Sequence, residues 1–206
     1  MIIKGFYHIL MWNHWYTVVT EQLRILLTSG LYDACDEINI GCIGNQAEKS
    51  FLEKYIVGPH PKLKVRYYSE RPEDYEFPTL RLIEADNSSY VGFYFHAKAV
   101  TKPTETIINH WRAMLNEMIL NRWQEHRDRV ETGYDVSSVN FLRSPDHFSG
   151  NFWWFHRDYI NRLPPISTLN HGYRWHAEQW IAMGKPNFYT PPFIEPSEAV
   201  FPLKYK

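Results

Sequence analysis

His96-Ala97-Lys98 closes an apolar run that begins at Tyr90, placing two titratable side chains two residues apart. On an extended chain that spacing sends both to the same side. A lysine there can neutralise a diphosphate, and the histidine can hydrogen-bond it or ligate a metal. A solvated strand end is the plainer alternative. A second constellation is His147-Phe148-Ser149-Gly150-Asn151-Phe152-Trp153-Trp154. Small polar groups beside indole rings are the composition of a sugar site, where C–H faces stack and hydroxyls find partners. Core packing explains the aromatics equally well, but not the Ser-Gly-Asn insertion. Read as one strand, Phe148, Gly150, Phe152 and Trp154 line one face, and His147, Ser149, Asn151 and Trp153 the other. The glycine then marks a bulge or a place where another group comes close. The third is Arg174-Trp175-His176-Ala177-Glu178-Gln179-Trp180. A helix beginning near Trp175 puts Glu178 in its first turn. There it either complements the helix dipole or faces a cleft as general base or electrostatic stabiliser. Two further groupings are weaker: His171 and His176 with Glu178 match no zinc spacing. Glu84-Ala85-Asp86 resembles an acidic metal motif, but it precedes the fourth strand and reads as a solvated helix terminus.

The elements that must position these residues alternate. Strands are expected over 2–11, Glu37–Ile43, Leu63–Tyr68 and Tyr90–Lys98, with helices over Tyr16–Ser29, Gln46–Val57 and Pro78–Ala85 between them. Near-continuous apolar strands alternating with helices imply a parallel sheet covered on both faces. Such sheets bind ligands at the carboxyl ends of their strands, here Tyr7-His8, Gly44-Asn45, Ser69 and His96. After Lys98 the rhythm changes. A long helix is expected from Ile107 to about Arg129, strands over Tyr134–Phe141 and Phe148–Phe155, and helices over Tyr159–Leu163 and Arg174–Met183. From Pro186 onward the chain has five prolines and no helical period. No repeat or linker divides it, so 1–206 reads as a single domain with halves of about 1–100 and 101–206, alone or within a larger protein.

Composition narrows the function classes. The 206 residues have a formal charge of −1 and no basic stripe, which argues against nucleic acid as a partner. Hydrophobic residues make up 44% and charged ones 22%, enough for a packed core. No apolar run approaches the roughly 20 residues of a membrane span. The opening residues lack a secretory pattern, and two cysteines, Cys35 and Cys42, fit buried thiols, so a cytoplasmic setting is expected. Aromatics reach 17%, an excess that suits a cleft for flat rings as well as a core.

With these motifs in order, the chain resembles GT-A-fold glycosyltransferases, in particular a group associated with bacterial surface polysaccharides and with the glycoprotein glycans of large algal viruses. The matching residues are His96 and Lys98, Trp111-Arg112, Ser149 to Trp154, and Ala177-Glu178-Gln179-Trp180. The resemblance spans about residues 2 to 183, and Ser-Gly-Asn-Phe-Trp-Trp is its most specific part. It implies a GT-A-like, Rossmann-like, mostly parallel sheet flanked by helices, with a smaller acceptor-side second half. The implied reaction transfers a hexose-type sugar from a nucleotide-diphosphate donor, a UDP-sugar above others, to a hydroxyl of a glycan or glycoprotein. By that resemblance Glu178 would be the catalytic carboxylate. Tyr7, His8, His96, Lys98 and Arg112 would hold the donor, and His147, Ser149, Gly150, Asn151, Trp153, Trp154, Trp175 and His176 the sugar or acceptor. The family's fourth strand usually leads to an Asp-x-Asp that binds Mn2+ or Mg2+. Here the place reads His96-Ala97-Lys98, which leaves the metal open, with His96 and then Asp86 as candidates. Ala99 stands where the pattern often has Gly, and Gln179 replaces the second acid of a Glu-Asp pair.

The physical demand is consistent with those roles. Sugar transfer passes through an oxocarbenium-like state while a diphosphate leaves with negative charge. Cations must face the leaving group and a carboxylate the anomeric centre or acceptor. The alternatives are a non-catalytic nucleotide- or carbohydrate-binding module, a hydrolase built on the histidines, and a structural domain.

Overall fold

The protein is described by a computed structural model covering residues 1–101 and 104–191; most of the proline-rich tail lies outside the described residues. Four strands, β1 (Ile3–Leu10), β2 (Glu37–Ile43), β3 (Leu63–Ser69) and β4 (Val91–His96), pair in parallel. Helix α1 (Trp15–Thr28) follows β1, with α2 (Leu31–Ala34) after it; α3 (Gln46–Leu52) follows β2 and α4 (Phe77–Ala85) follows β3. Trp15, Val18, Val19, Gln22, Leu23 and Leu26 are buried on α1, the three-and-four spacing of an amphipathic helix. Asn45 caps α3, its side chain accepting from the Glu48 amide at 2.9 Å.

The second half adds α5 (Thr106–Leu115), α6 (Trp123–Glu131) and the short strands β5 (Val136–Ser138), β6 (Phe141–Leu142), β7 (His147–Phe148) and β8 (Trp153–His156). Then come α7 (Arg157–Ile160), α8 (Trp175–Gln179) and β9 (Phe188–Tyr189). The seven-stranded sheet has the order β3-β2-β1-β4-β8-β5-β9. β8 runs antiparallel to both β4 and β5, so the sheet is mostly parallel with one reversal, and the expected helix-flanked α/β architecture is present. Strand alternation splits the core. Tyr7, Phe93, Phe95 and Trp154 pack on the side of α1, α5 and α6; Phe6, Tyr94, Trp153 and Phe155 pack on the side of α4, α7 and α8. Among the described residues, no helix is long and apolar enough to cross a membrane.

The structure corrects four expectations. The run from Phe148 to Phe155 is not one strand: Gly150 and Asn151 both take positive φ, +92° and +55°, which ends β7 and starts β8 afresh. The strand expected over Tyr134–Phe141 is likewise broken at Asn140, with φ +56°. The long helix breaks at Arg122, with φ −93° and ψ 31°, after a π-helical stretch over Asn116–Asn121. Finally, β1 runs on to Leu10, so Tyr7 and His8 lie inside the strand, not at its end.

Candidate functional site

The carboxyl end of β4 is where the chemistry-bearing residues converge. His8 pairs with His96 in the β1–β4 register, and the Ala97 amide adds one more bond to the His8 carbonyl at 2.9 Å. The chain then turns at Ala99, which takes φ +72° without being glycine. A relay of side chains holds this turn. Tyr7 donates to Gln22 Oε1 at 2.6 Å, and Gln22 donates to the His96 carbonyl at 3.0 Å and to Asn116 at 3.1 Å. Asn116 donates to Glu21 at 2.9 Å, Glu21 pairs with Arg112 at 2.9 Å, and Arg112 reaches the Lys98 carbonyl at 3.5 Å.

Because β8 is antiparallel to β4, the residues that precede it arrive beside this end. His96 Nε2 donates to the Gly150 carbonyl at 3.0 Å, a carbonyl being able only to accept. A side chain at 150 would collide with α5, since a Cβ there would lie 2.5 Å from Leu115 and 2.6 Å from Trp111. That meets the expectation of a close approach. Asn151 is buried; its Oδ1 accepts from Trp153 Nε1 at 2.7 Å and its Nδ2 donates to Glu76.

Glu76 is the site residue missed by the sequence reading. Its Oε2 accepts from both Asn151 and the Tyr94 hydroxyl, the latter at 2.8 Å, and its Oε1 faces His96 Nδ1 at 3.9 Å. It directly precedes α4 and follows Tyr75, whose φ of +48° with ψ −137° is sparsely populated for a non-glycine residue. In the sequence it is one of several acids in Glu73-Asp74-Tyr75-Glu76, and nothing in that run marks it. Only the approach of β8 singles it out.

Two carboxylates, Glu76 and Glu178, and the Arg174 guanidinium act electrostatically on Lys98 here. Burial lowers the Lys98 pKa, opposed by the attraction of Glu178 and Glu76 and assisted by Arg174. Lys98 forms no ion pair among the described residues, so its ammonium is uncommitted. Glu178, in the first turn of α8 as expected, is 13% exposed and pairs with Arg174 at 3.5 Å. Its charge also acts on Tyr94 and His96. Burial and the neighbouring Lys98 push His96 down to about 3, so its imidazole is neutral.

The other nominated residues divide. Arg112 belongs to the internal relay. Tyr7 is buried against Phe95, its ring 4.0 Å away, and His8 is buried with Nδ1 2.9 Å from the Thr79 hydroxyl. Trp153 and Trp154 are fully buried core residues, Trp154 donating to the Ile119 carbonyl at 3.1 Å. They support the site from behind and present no open wall. Trp175 is 43% exposed with the Arg174 guanidinium 5.1 Å from its ring, so α8 carries an accessible indole on the helix of Glu178. His176 accepts from the Asn170 amide at 3.1 Å, His147 donates to the Pro145 carbonyl at 2.8 Å, and the Ser149 amide donates to the Asn140 carbonyl at 3.0 Å.

Asp86 and the acidic grouping around it sit at the far end of β4. Asp86 pairs with Lys4 at 2.6 Å and Glu84 accepts from the Ile166 amide at 2.8 Å, so both are tied into the fold and not simply solvated. His171 stacks on Phe77 and donates to the Ile166 carbonyl at 2.8 Å. Among the described residues, no group of three or more His, Cys, Asp or Glu side chains is arranged to hold a metal ion.

Fold and site together define a mixed α/β domain with a cluster of polar and charged side chains at the carboxyl end of its central parallel strand. By sequence it belongs to the family described as a domain of unknown function, DUF8361, whose model matches residues 6–189. No curated protein matches the chain.

Proposed function

We propose that the protein is a GT-A-type glycosyltransferase moving a hexose from a nucleotide-diphosphate donor, a UDP-sugar above others, to a hydroxyl of a glycan or glycoprotein. The observation that carries this reading is the set of charged groups at the carboxyl end of β4, beside the reversed strand β8: Glu76, 3.9 Å from His96, and Lys98, on which the charges of Glu76 and Glu178 act. Ligands of open α/β sheets bind at such strand ends, where the topology changes. The acceptor oxygen bonds to the anomeric carbon while the bond from that carbon to the diphosphate breaks, its electron pair leaving with the diphosphate. Lys98 and Arg174 face the developing negative charge, and Glu178 takes the acceptor's proton or stabilises the oxocarbenium-like centre. Trp175 offers the accessible aromatic face for the sugar or acceptor. We place the reaction in the cytoplasm, a setting that suits the two free, buried thiols Cys35 and Cys42.

A thermal-shift panel of nucleotide sugars, with and without Mn2+ or Mg2+, tests the reading. A donor at about 100 times its Kd adds about 2.7 kcal/mol of stability, a readily measured shift. Lys98→Ala should then weaken UDP about ten- to a hundredfold and leave uridine unaffected, because a charge-assisted contact acts on phosphate alone. Failure of every nucleotide sugar to bind at millimolar concentration, metal present or absent, rejects the proposal.

A further inference from the structure

His96 and Glu76 are each anchored on one side and open on the other. Gly150 accepts the proton of His96 Nε2, so with the imidazole neutral Nδ1 carries a lone pair. Tyr94 and Asn151 both donate to Glu76 Oε2, and among the described residues none donates to Oε1. The two unanchored atoms face each other at 3.9 Å, beyond hydrogen-bond reach, and both are acceptors. The side chains are 14% and 18% exposed, so both are mostly covered yet still reach solvent. Two acceptors aimed at one gap demand a ligand with two adjacent donors. Leaving two mostly covered acceptors unmatched is costly.

Resting on the glycosyltransferase reading, we infer that Glu76 and His96 read a pair of adjacent hydroxyls on the transferred sugar, and so set donor specificity. The surrounding charges favour this occupant. Glu76 and Glu178 are balanced by Lys98 and Arg174, so the cluster has no net charge calling for a further cation. A sugar hydroxyl both donates and accepts, so it can serve these acceptors and also the N–H groups of Lys98 and Arg174, whose charges act on the same cluster. The anchors explain the cost of building it: Asn151 holds positive φ and Tyr75 a strained conformation, and both place Glu76 or its partner.

Glu76→Gln is the discriminating variant. Its amide oxygen still accepts from Tyr94 and Asn151, while an N–H donor replaces the acceptor facing the gap. Titrate wild type and variant with UDP, UDP-glucose and UDP-galactose, then with monodeoxy analogues of the sugar that binds better than UDP. UDP affinity should be unchanged in the variant, and the extra affinity contributed by the sugar should fall about ten- to a hundredfold. The analogue lacking the hydroxyl read by Glu76 should bind wild type and variant equally, an outcome that general misfolding would not produce. Retention of the full sugar increment in Glu76→Gln overturns the inference while leaving the proposed function intact. Loss of only an Mn2+-dependent part of binding also overturns it, because the two acceptors would then hold a cation. Absence of binding by any nucleotide sugar in the wild type overturns both.

Discussion

The carboxylate of Glu21 holds the guanidinium of Arg112 at 2.9 Å across the seam between α1 and α5, and Arg112 in turn reaches the Lys98 carbonyl. This pairing turns Arg112 from an expected phosphate ligand into a support for the turn that carries Lys98. The arginine is 12% exposed and the glutamate 28%, so each remains largely screened from water.

Removing one partner should therefore be felt mainly in stability. Arg112→Met leaves Glu21 partly buried without its cation and should cost about 2–3 kcal/mol in urea unfolding, the exposed edge of Glu21 moderating the penalty. Glu21→Gln keeps the bond to Asn116 and should cost less. The double variant should be less destabilised than the sum, the sign of direct coupling. An Arg112→Met protein of wild-type stability that binds UDP weakly would restore Arg112 to the diphosphate.

For Glu178 the structural and catalytic roles make opposite forecasts. As a dipole complement or partner of the exposed Arg174, its replacement by Gln should cost at most about 1 kcal/mol and spare turnover. As the working carboxylate, Glu178→Gln should leave melting and donor binding nearly unchanged while transfer falls by about two to four orders of magnitude. We expect the second result, because the Glu178 charge acts on Lys98, His96 and Tyr94 as well as on Arg174. A melting curve and a transfer assay on one preparation separate the two. Near-wild-type transfer by the variant would remove Glu178 from the mechanism.

Three buried histidines shape the acid side of the stability curve. Burial lowers His8 and His126 from 6.5 to about 4, and His96 to about 3. Between those values and 6.5 the unfolded chain takes up protons that the folded chain refuses, so stability falls as the pH falls. Above that window the three add no slope; within it each adds about 1.4 kcal/mol per pH unit. His126 donates to the Met118 carbonyl and accepts from Ser137, far from the candidate site. Replacing it with Gln should reduce the slope from the three by about a third between about pH 6 and pH 5 in urea unfolding. An unchanged slope would mean that His126 is already protonated when folded.

The parallel half was legible because each of its strands and helices has its own local signature. The apolar run ending at His96, the helical spacing of α1 and the Asn45 cap need no distant partner to be recognised. The first-turn position of Glu178 and the close approach at Gly150 were legible for the same reason. Glu76 was not, since its partner Asn151 lies just ahead of β8, a strand that reverses direction. Trp153 and Trp154 misled in the other direction. An indole in a sugar cleft and an indole in a core have the same sequence appearance, and only burial distinguishes them. The expected continuous strand over 148–155 failed at Gly150-Asn151, where two successive positive φ angles override an otherwise strand-forming composition.

The reversed strand β8 also governs the order in which the protein can assemble as it is synthesised. The pairs among β1, β2, β3 and β4 are complete within the first half of the chain, but β4 then presents an unpaired edge carrying Phe93, Tyr94 and Phe95. Such an edge is prone to pairing with other chains until it is covered. Its cover is β8, and the bond from His96 to Gly150 joins residues 54 positions apart in the chain. A nascent chain stopped short of Gly150 would thus hold Lys98 and Glu76 without the Gly150 and Asn151 contacts, and would expose the free edge of β4. The approach of β8 that completes the Glu76–His96 cluster also covers the sheet edge, so a fragment released early would lack the cluster and be aggregation-prone.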